Sequence, residues 1–349
     1  MNSQMKTEII DPLTDMRWIE YINSQQGTNI FHHPAWARVV SRQYNLTPQA
    51  FCVVKDQKII SGFLFIISKG ILGGKFAVTF QCSEHLLIGM ESSTEEIIDA
   101  FLRHLKSLQI NQVEFRDNIY STYLHSKLRG YAHSLKLDND IDTIYNSFKA
   151  ETVSRNIRKA IKEGLTYEVC SDIKSIEDYH FLHIKTRKKL GASVQSKDFF
   201  IKFWKEIISK DLGYIISVKK GNIPLSVGIF AGFNNTLSYK FGASNPDSLK
   251  LRPNNLMLWG AIQEAKKRGY TKFEMGRTDC NNDGLRNFKL GWGCTETPLH
   301  FSYYPNAAKT ERLQNINSII ISPIIKNSPE FVCRIIGALA FKFFPWQFI

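Results

Sequence analysis

Two apolar hairpins, set far apart in the chain and each followed by a helix and a strand, restrict the fold more than any other feature. In the first, FCVV and IISGFLFII flank the polar turn Lys55-Asp56-Gln57-Lys58; in the second, YIISV and LSVGIF flank Lys219-Lys220-Gly221-Asn222. The runs are nearly continuous, as in strands buried on both faces. After the first come one or two strands over Phe76–Ile88, a helix over Glu95–Leu108, and a strand at Gln112–Asp117 with a charged end. After the second come a strand with Tyr239 and Phe241, a helix over Leu256–Arg268, and a strand at Thr271–Met275. In the helix Leu256, Leu258, Trp259, Ile262 and Ala265 mark one face, and Gly269 stops it after three basic residues that suit the dipole. The offset from Val54 to Val218 is about that from Val113 to Phe273, which is what duplication produces. The reading is two tandem α/β domains with mixed sheets, over residues 1–144 and 145–310, and an apolar, basic helical tail over 311–349.

Residues Ile9–Asn23 read as a strand end and a short helix, and Pro34 suits the first turn of a second helix, with Phe31 and Trp36 in the core. His32 and His33 are adjacent and lack a spaced third ligand, so no metal is expected. Tyr145–Gly164 reads as one helix, with Phe148, Val153, Ile157 and Ile161 on an apolar stripe. Arg155, Arg158, Lys159 and Lys162 lie off it, as either a solvated face or a phosphate-binding one. A second basic cluster is Lys185, Arg187, Lys188 and Lys189.

The chain has 349 residues, enough for two domains, and a net charge of +13, which favours an anionic partner: tRNA, a phosphorylated precursor or an acidic lipid surface, but not DNA. Six scattered cysteines without C-x-x-C spacing indicate reduced thiols in a cytoplasmic protein. MNSQMKTEIIDPL lacks the apolar core of a signal peptide, and no run of about 18 apolar residues is present to span a membrane. The last segment, FVCRIIGALAFKFFPWQFI, has the makeup of an interfacial helix; the alternative is a terminal segment docked on the first domain.

The stretch from Tyr239 to Gly293 carries the chemistry. Pro253-Asn254 opens the helix containing Trp259, a strand ends in Gly276-Arg277-Thr278-Asp279, and Gly284-Leu285-Arg286-Asn287-Phe288-Lys289-Leu290-Gly291-Trp292-Gly293 closes it. In that order and spacing the stretch resembles the Fem family of non-ribosomal peptidyl transferases, within the acyltransferases of the GNAT fold. The resemblance implies transfer of an aminoacyl group from charged tRNA to an amine of a cell-wall precursor. It also implies tandem GNAT domains and a lysine of the Phe-Lys pair in the active cleft, here Lys289 beside Phe288. It suggests acceptor-binding roles for Arg252, or Lys250 in its place, and, by a loose match, for Arg38. Some family members carry a coiled-coil arm for tRNA; this chain has no charged heptad run.

Acyl transfer to an amine needs a neutral amine, a positioned carbonyl carbon and a stabilised oxyanion, and no covalent nucleophile. No G-x-S-x-G elbow and no motif-bound cysteine is present, which fits direct transfer. Gly284, Gly291 and Gly293 point to a tight loop around Lys289. Asp279 is the nearest candidate base; Arg277 and Asp279 either pair with each other or line the cleft. Asn254 either caps the helix or meets substrate, and Tyr239 is either a substrate hydrogen-bonding group or a half-buried strand residue. The helix start Arg252-Pro253-Asn254-Asn255 lacks the glycines that would hold a CoA pyrophosphate, and a proline removes one donor. No cofactor is expected. Three readings follow: an aminoacyl-tRNA-dependent transferase, an acyl-CoA-dependent N-acyltransferase of an amino sugar, or a non-catalytic binding protein at the membrane surface.

Overall fold

The structure, a computed structural model, describes residues 6–69, 74–80, 94–306 and 321–343. The expected strand at 81–88, Cys82 and the tail positions 311–320 and 344–349 lie outside them. The described residues form two compact units, one of 6–130, 298–306 and 342–343, the other of 131–297 and 321–341. The chain therefore passes from one to the other at Gly130–Tyr131 and back at Thr297–Pro298, whereas the sequence suggests boundaries at 144 and 310.

In the first unit, β1 (Lys6–Ile10), β2 (Pro48–Lys55), β3 (Lys58–Lys69) and β4 (Lys75–Thr79) pair antiparallel in sequence order. A helix, α3 (Thr94–Ser107), then carries the chain over so that β5 (Val113–Phe115) lies parallel to β4, Ala77 opposite Val113. Its Ile97, Ile98, Phe101, Leu102 and Leu105 face the sheet. Phe101 meets Phe51, Phe63, Phe65 and Phe115 with ring centroids 4.9–5.7 Å apart, mostly edge to face. Helices α1 (Met16–Ser24) and α2 (Pro34–Tyr44) precede the hairpin. Asp15 caps α1, and the His33 imidazole caps α2 by accepting from the Ala35 N–H. His32 is buried against Asn29, so both histidines have local structural roles, and no metal-holding cluster occurs among the described residues.

The second unit repeats the plan. Strands β7 (Thr166–Cys170), β8 (Gly213–Lys220), β9 (Ile223–Phe233) and β10 (Thr236–Ser244) are antiparallel neighbours, and β11 (Lys272–Thr278) lies parallel to β10 after the crossover helix α8 (Pro253–Lys267). The sixth strand of each unit comes from elsewhere in the chain. β6 (His125–Lys136), which follows β5, pairs with β11 through Tyr131–Lys136. β12 (Thr295–Tyr304), which follows β11, pairs with β5 through Ser302–Tyr304. The strand orders are thus β1-β2-β3-β4-β5-β12 and β6-β11-β10-β9-β8-β7. The core of the second unit gathers Tyr214, Phe230, Leu237, Leu256, Ile262, Phe273 and Trp292.

Two local expectations need correction. Residues 145–164 are not one helix: α4 (Ile141–Asn146), a π-turn at Ala150–Ser154 and α5 (Arg155–Lys162) follow one another. Phe148, Val153 and Ile157 are buried, but Ile161 is exposed beside the basic residues, and Ala160 takes the next inward position of α5. The apolar segment after 320 contains α10 (Ser322–Asn327) and α11 (Glu330–Phe343). Residues 321–341 belong to the second unit, where Ile325 and Cys333 pack with Ile184 of α6 (Ile173–Leu190) and with Val194.

Candidate active site

The site grows out of an interruption in the second sheet. The β10–β11 ladder covers only Thr236–Ser238 and Lys272–Glu274, although both strands continue. Just past it, β10 bulges between Tyr239 and Phe241 against β9, and β11 bulges between Glu274 and Arg277 against β6. Gly276 takes φ +70° there, a conformation that favours glycine. A bulge leaves backbone carbonyls without ladder partners, and buried carbonyls need donors.

Lys289 supplies them. Its ammonium donates to the Gly276 carbonyl at 2.8 Å and the Arg277 carbonyl at 3.0 Å. Residues Asp283–Leu290 form a helix, α9, not the tight loop suggested by their glycines: Asn282 caps it through the Leu285 N–H and Gly291 ends it. That helix delivers Lys289 inward, 5% exposed. Burial pushes its pKa down to about 8, opposed by Cys294 and Asp279. An ammonium has three donors, so one N–H remains beyond the two carbonyls. The shift gives a pH prediction. The unfolded lysine binds its proton more tightly, so the stability cost of burying the charge is full below about pH 8 and fades as pH rises from about 8 toward the ordinary lysine value. Activity that needs the ammonium falls as pH rises through about 8, and a Lys289→Met variant shows a flat residual profile there.

The other expected site residues divide. Phe288 packs edge-on to Trp292 at 6.2 Å. Arg277 lies within β11, not beyond the strand, and pairs with exposed Asp279 at 2.8 Å. Arg252, exposed with φ +64°, is the residue before Pro253, and no side-chain cap closes the start of α8. Asn254 is not the cap. Its carbonyl oxygen accepts from Ser226 Oγ at 2.7 Å, between β9 and the start of α8. Tyr239 stacks on Phe230 at 5.2 Å, and its hydroxyl lies over Gly242, where a Cβ would come within 1.7 Å of it. Burial pushes its pKa well up, as for a structural phenol. Arg38 belongs to α2 of the first unit, where its guanidinium reaches the Leu13 carbonyl at 3.5 Å.

A network next to Lys289 has no sequence signature. Glu296 of β12 accepts two hydrogen bonds from Arg286 of α9, both 2.6 Å, and a contact from His133 Nε2 of β6 at 3.0 Å. Arg286 holds the Glu296 carboxyl below its usual range; burial and the Lys289 charge hold His133 down. Arg286 also stacks over Tyr131 at 4.1 Å. The network thus ties α9, and Lys289 with it, to β6 and β12. Arg187 of α6, part of the second basic cluster in the sequence, is instead partly buried, its Nε donating to the Ser193 carbonyl at 2.9 Å.

Comparison with known proteins bears on the fold. Residues 147–290 match the family model described as an acetyltransferase (GNAT) domain. A 98-residue stretch is 33% identical to the lipid II:glycine glycyltransferase of Staphylococcus saprophyticus subsp. saprophyticus, covering 26% of this chain and 24% of that protein. The chain therefore matches about a quarter of that relative's length. The crystal structure of FemX superposes with a TM-score of 0.70 at 15% identity, over 89% of this chain and 100% of that one. A tandem GNAT protein from the clavulanic acid biosynthesis pathway superposes with a TM-score of 0.54 at 9% identity, over 88% and 100%. The chain thus has the fold of the GNAT acyltransferases, and over part of its length it is similar in sequence to a Fem-type glycyltransferase.

Proposed function

We propose that this protein is an enzyme that transfers an aminoacyl group from aminoacyl-tRNA to an amine of a peptidoglycan or polysaccharide precursor at the cytoplasmic face of the cell membrane. The observation that carries the reading is Lys289, a buried ammonium at the strand interruption, two donors fixed on backbone and one remaining. The neutral acceptor amine attacks the ester carbonyl carbon; its carbon–nitrogen bond forms as the bond to the tRNA oxygen breaks. The amine loses a proton and the leaving oxygen gains one. The free N–H of Lys289 stabilises the oxyanion or the charge on the leaving side, and its two fixed bonds remove the reorganisation cost. Arg277, Asp279, Arg252, Asn254, Tyr239 and Phe288 shape the binding region in this reading. Cys294 is no nucleophile: it is buried, its thiol pushed up to about 12.

Donor choice is supported by charge. Helix α5 turns Arg155, Arg158, Lys159 and Lys162 outward, a face suited to nucleic-acid phosphates. The start of α8 offers a proline and no glycine where a CoA pyrophosphate would need backbone donors. A second reading, acyl-CoA-dependent N-acylation of an amino sugar, is favoured by the family description of residues 147–290. Retention of bulk aminoacyl-tRNA at near-physiological salt, with uncharged tRNA and acetyl-CoA as competitors, separates the two. The expected result is preference for charged tRNA and indifference to acetyl-CoA; displacement by acetyl-CoA sinks the tRNA reading.

A further inference from the structure

Helix α11 is built inside out. Its inner row is Cys333, Gly337 and Phe341, all buried. Gly337 seats the helix directly on backbone: a Cβ there would lie 2.0 Å from the Val194 carbonyl oxygen. The helix cannot roll about its axis without breaking that contact. Its outer row is Phe331, Ile335, Leu339 and Phe343, each between 50% and 63% exposed, at a spacing of four. Beside it runs a row of Arg334, Ala338 and Lys342, also exposed. Exposed Ile324 and Lys326 on α10 add one more apolar residue and one more cation. Arg334, Lys342 and Lys326 have no carboxylate partner among the described residues, and Glu330 is the single acid of the two helices.

At the foot of the outer row is a cavity of about 380 Å³. Phe331, Ile335 and Ala338 form its apolar side; Arg334, Lys197 and His180 form its polar side. Lys197 is already paired with Glu177 at 2.6 Å, so Arg334 is the uncompensated charge at the cavity. Apolar rows ending at cations, with a cation-lined recess beside them, match the cross-section of an anionic bilayer: acyl chains below, phosphate above. No helix of the described residues is long and apolar enough to cross a membrane. We propose that the outer rows of α11 lie on an anionic membrane surface, with Phe331, Ile335 and Leu339 in the acyl boundary and Arg334 and Lys342 on lipid phosphates. The inference names the surface behind the membrane location proposed above; its test is independent of catalysis.

The experiment is flotation of the full chain with vesicles of phosphatidylcholine alone and with 30% phosphatidylglycerol. We expect binding to the anionic vesicles, weakened roughly fivefold per cation in Arg334→Gln and Lys342→Gln, since one charge near such a surface is worth about 1 kcal/mol. The triple variant Phe331→Ser/Ile335→Ser/Leu339→Ser should lose binding with an unchanged melting temperature, because its side chains leave water only on the membrane. Undiminished binding of these variants overturns the proposal, as does failure of the parent chain to float. Sedimentation that shows a dimer abolished by the triple variant, without flotation, assigns the face to a second copy and also overturns it. Loss of tRNA-dependent transfer alongside normal flotation would instead remove only the catalytic reading.

Discussion

Lys289→Ala lowers transfer about 100- to 1,000-fold, the cost of removing one preorganised donor from a developing oxyanion. The loss falls equally on kcat and kcat/KM, since the third N–H finds its partner only in the transition state. Two opposed effects act on stability: the partly buried Gly276 and Arg277 carbonyls lose their donor, and the cost of burying the Lys289 charge is relieved. Activity is therefore measured per folded molecule, well below the melting temperature. Lys289→Met, which keeps the volume without the donors, should be as inactive as the alanine variant. Lys289→Arg should not restore turnover, because a planar guanidinium cannot place the same three donors. Unchanged turnover of the alanine variant would reduce Lys289 to a strut of the β11 bulge.

The second large effect concerns fragments. A polypeptide of residues 1–144 should fail to fold cooperatively. Its β5 would lack the partner strand that pairs Ser302, Tyr303 and Tyr304 with Phe115, Glu114 and Val113. It would also lose buried Leu299, Phe301 and Tyr303. Each such side chain is worth about 1.5–3 kcal/mol on burial. Their sum is comparable with the 5–15 kcal/mol that typically holds a domain together. A polypeptide of 145–310 would likewise lack Tyr131–Lys136 against β11. Near-UV circular dichroism and a urea titration test both, and a sharp transition of fragment 1–144 at the midpoint of the whole chain would refute the dependence.

What the sequence made legible was local. The hairpins, α3, α8 and the parallel strands after them follow from apolar periodicity, which depends on near neighbours. The exchange of β6 and β12 was not legible, because which edge a strand joins is a long-range choice that leaves no mark within HSKLRGYAHSLK or TETPLHFSYY. Asn254 follows a helix start and invited the capping reading, but its side chain meets Ser226, brought there only by folding. The same holds for Lys289: residue type and the preceding Phe288 marked it, but the glycines around it suggested a loop. Gly284 sits within α9 and Gly291 at its end, so they shape a helix that sinks the lysine. His133 is one of two histidines in a polar strand; only the meeting of α9, β6 and β12 brings Glu296 and Arg286 to it.

The returning β12 also sets a clock. Ile119 N–H and Ser302 Oγ, which join the two ends of the first unit, are 183 positions apart. At about 5–20 residues per second, the ribosome takes roughly ten to forty seconds to supply the second after the first. Throughout that interval β5 presents an open, apolar edge, the kind that captures other nascent strands. The first half to be made is thus among the last to be finished, and the yield of folded protein in the cell should depend on what shields that edge in the meantime.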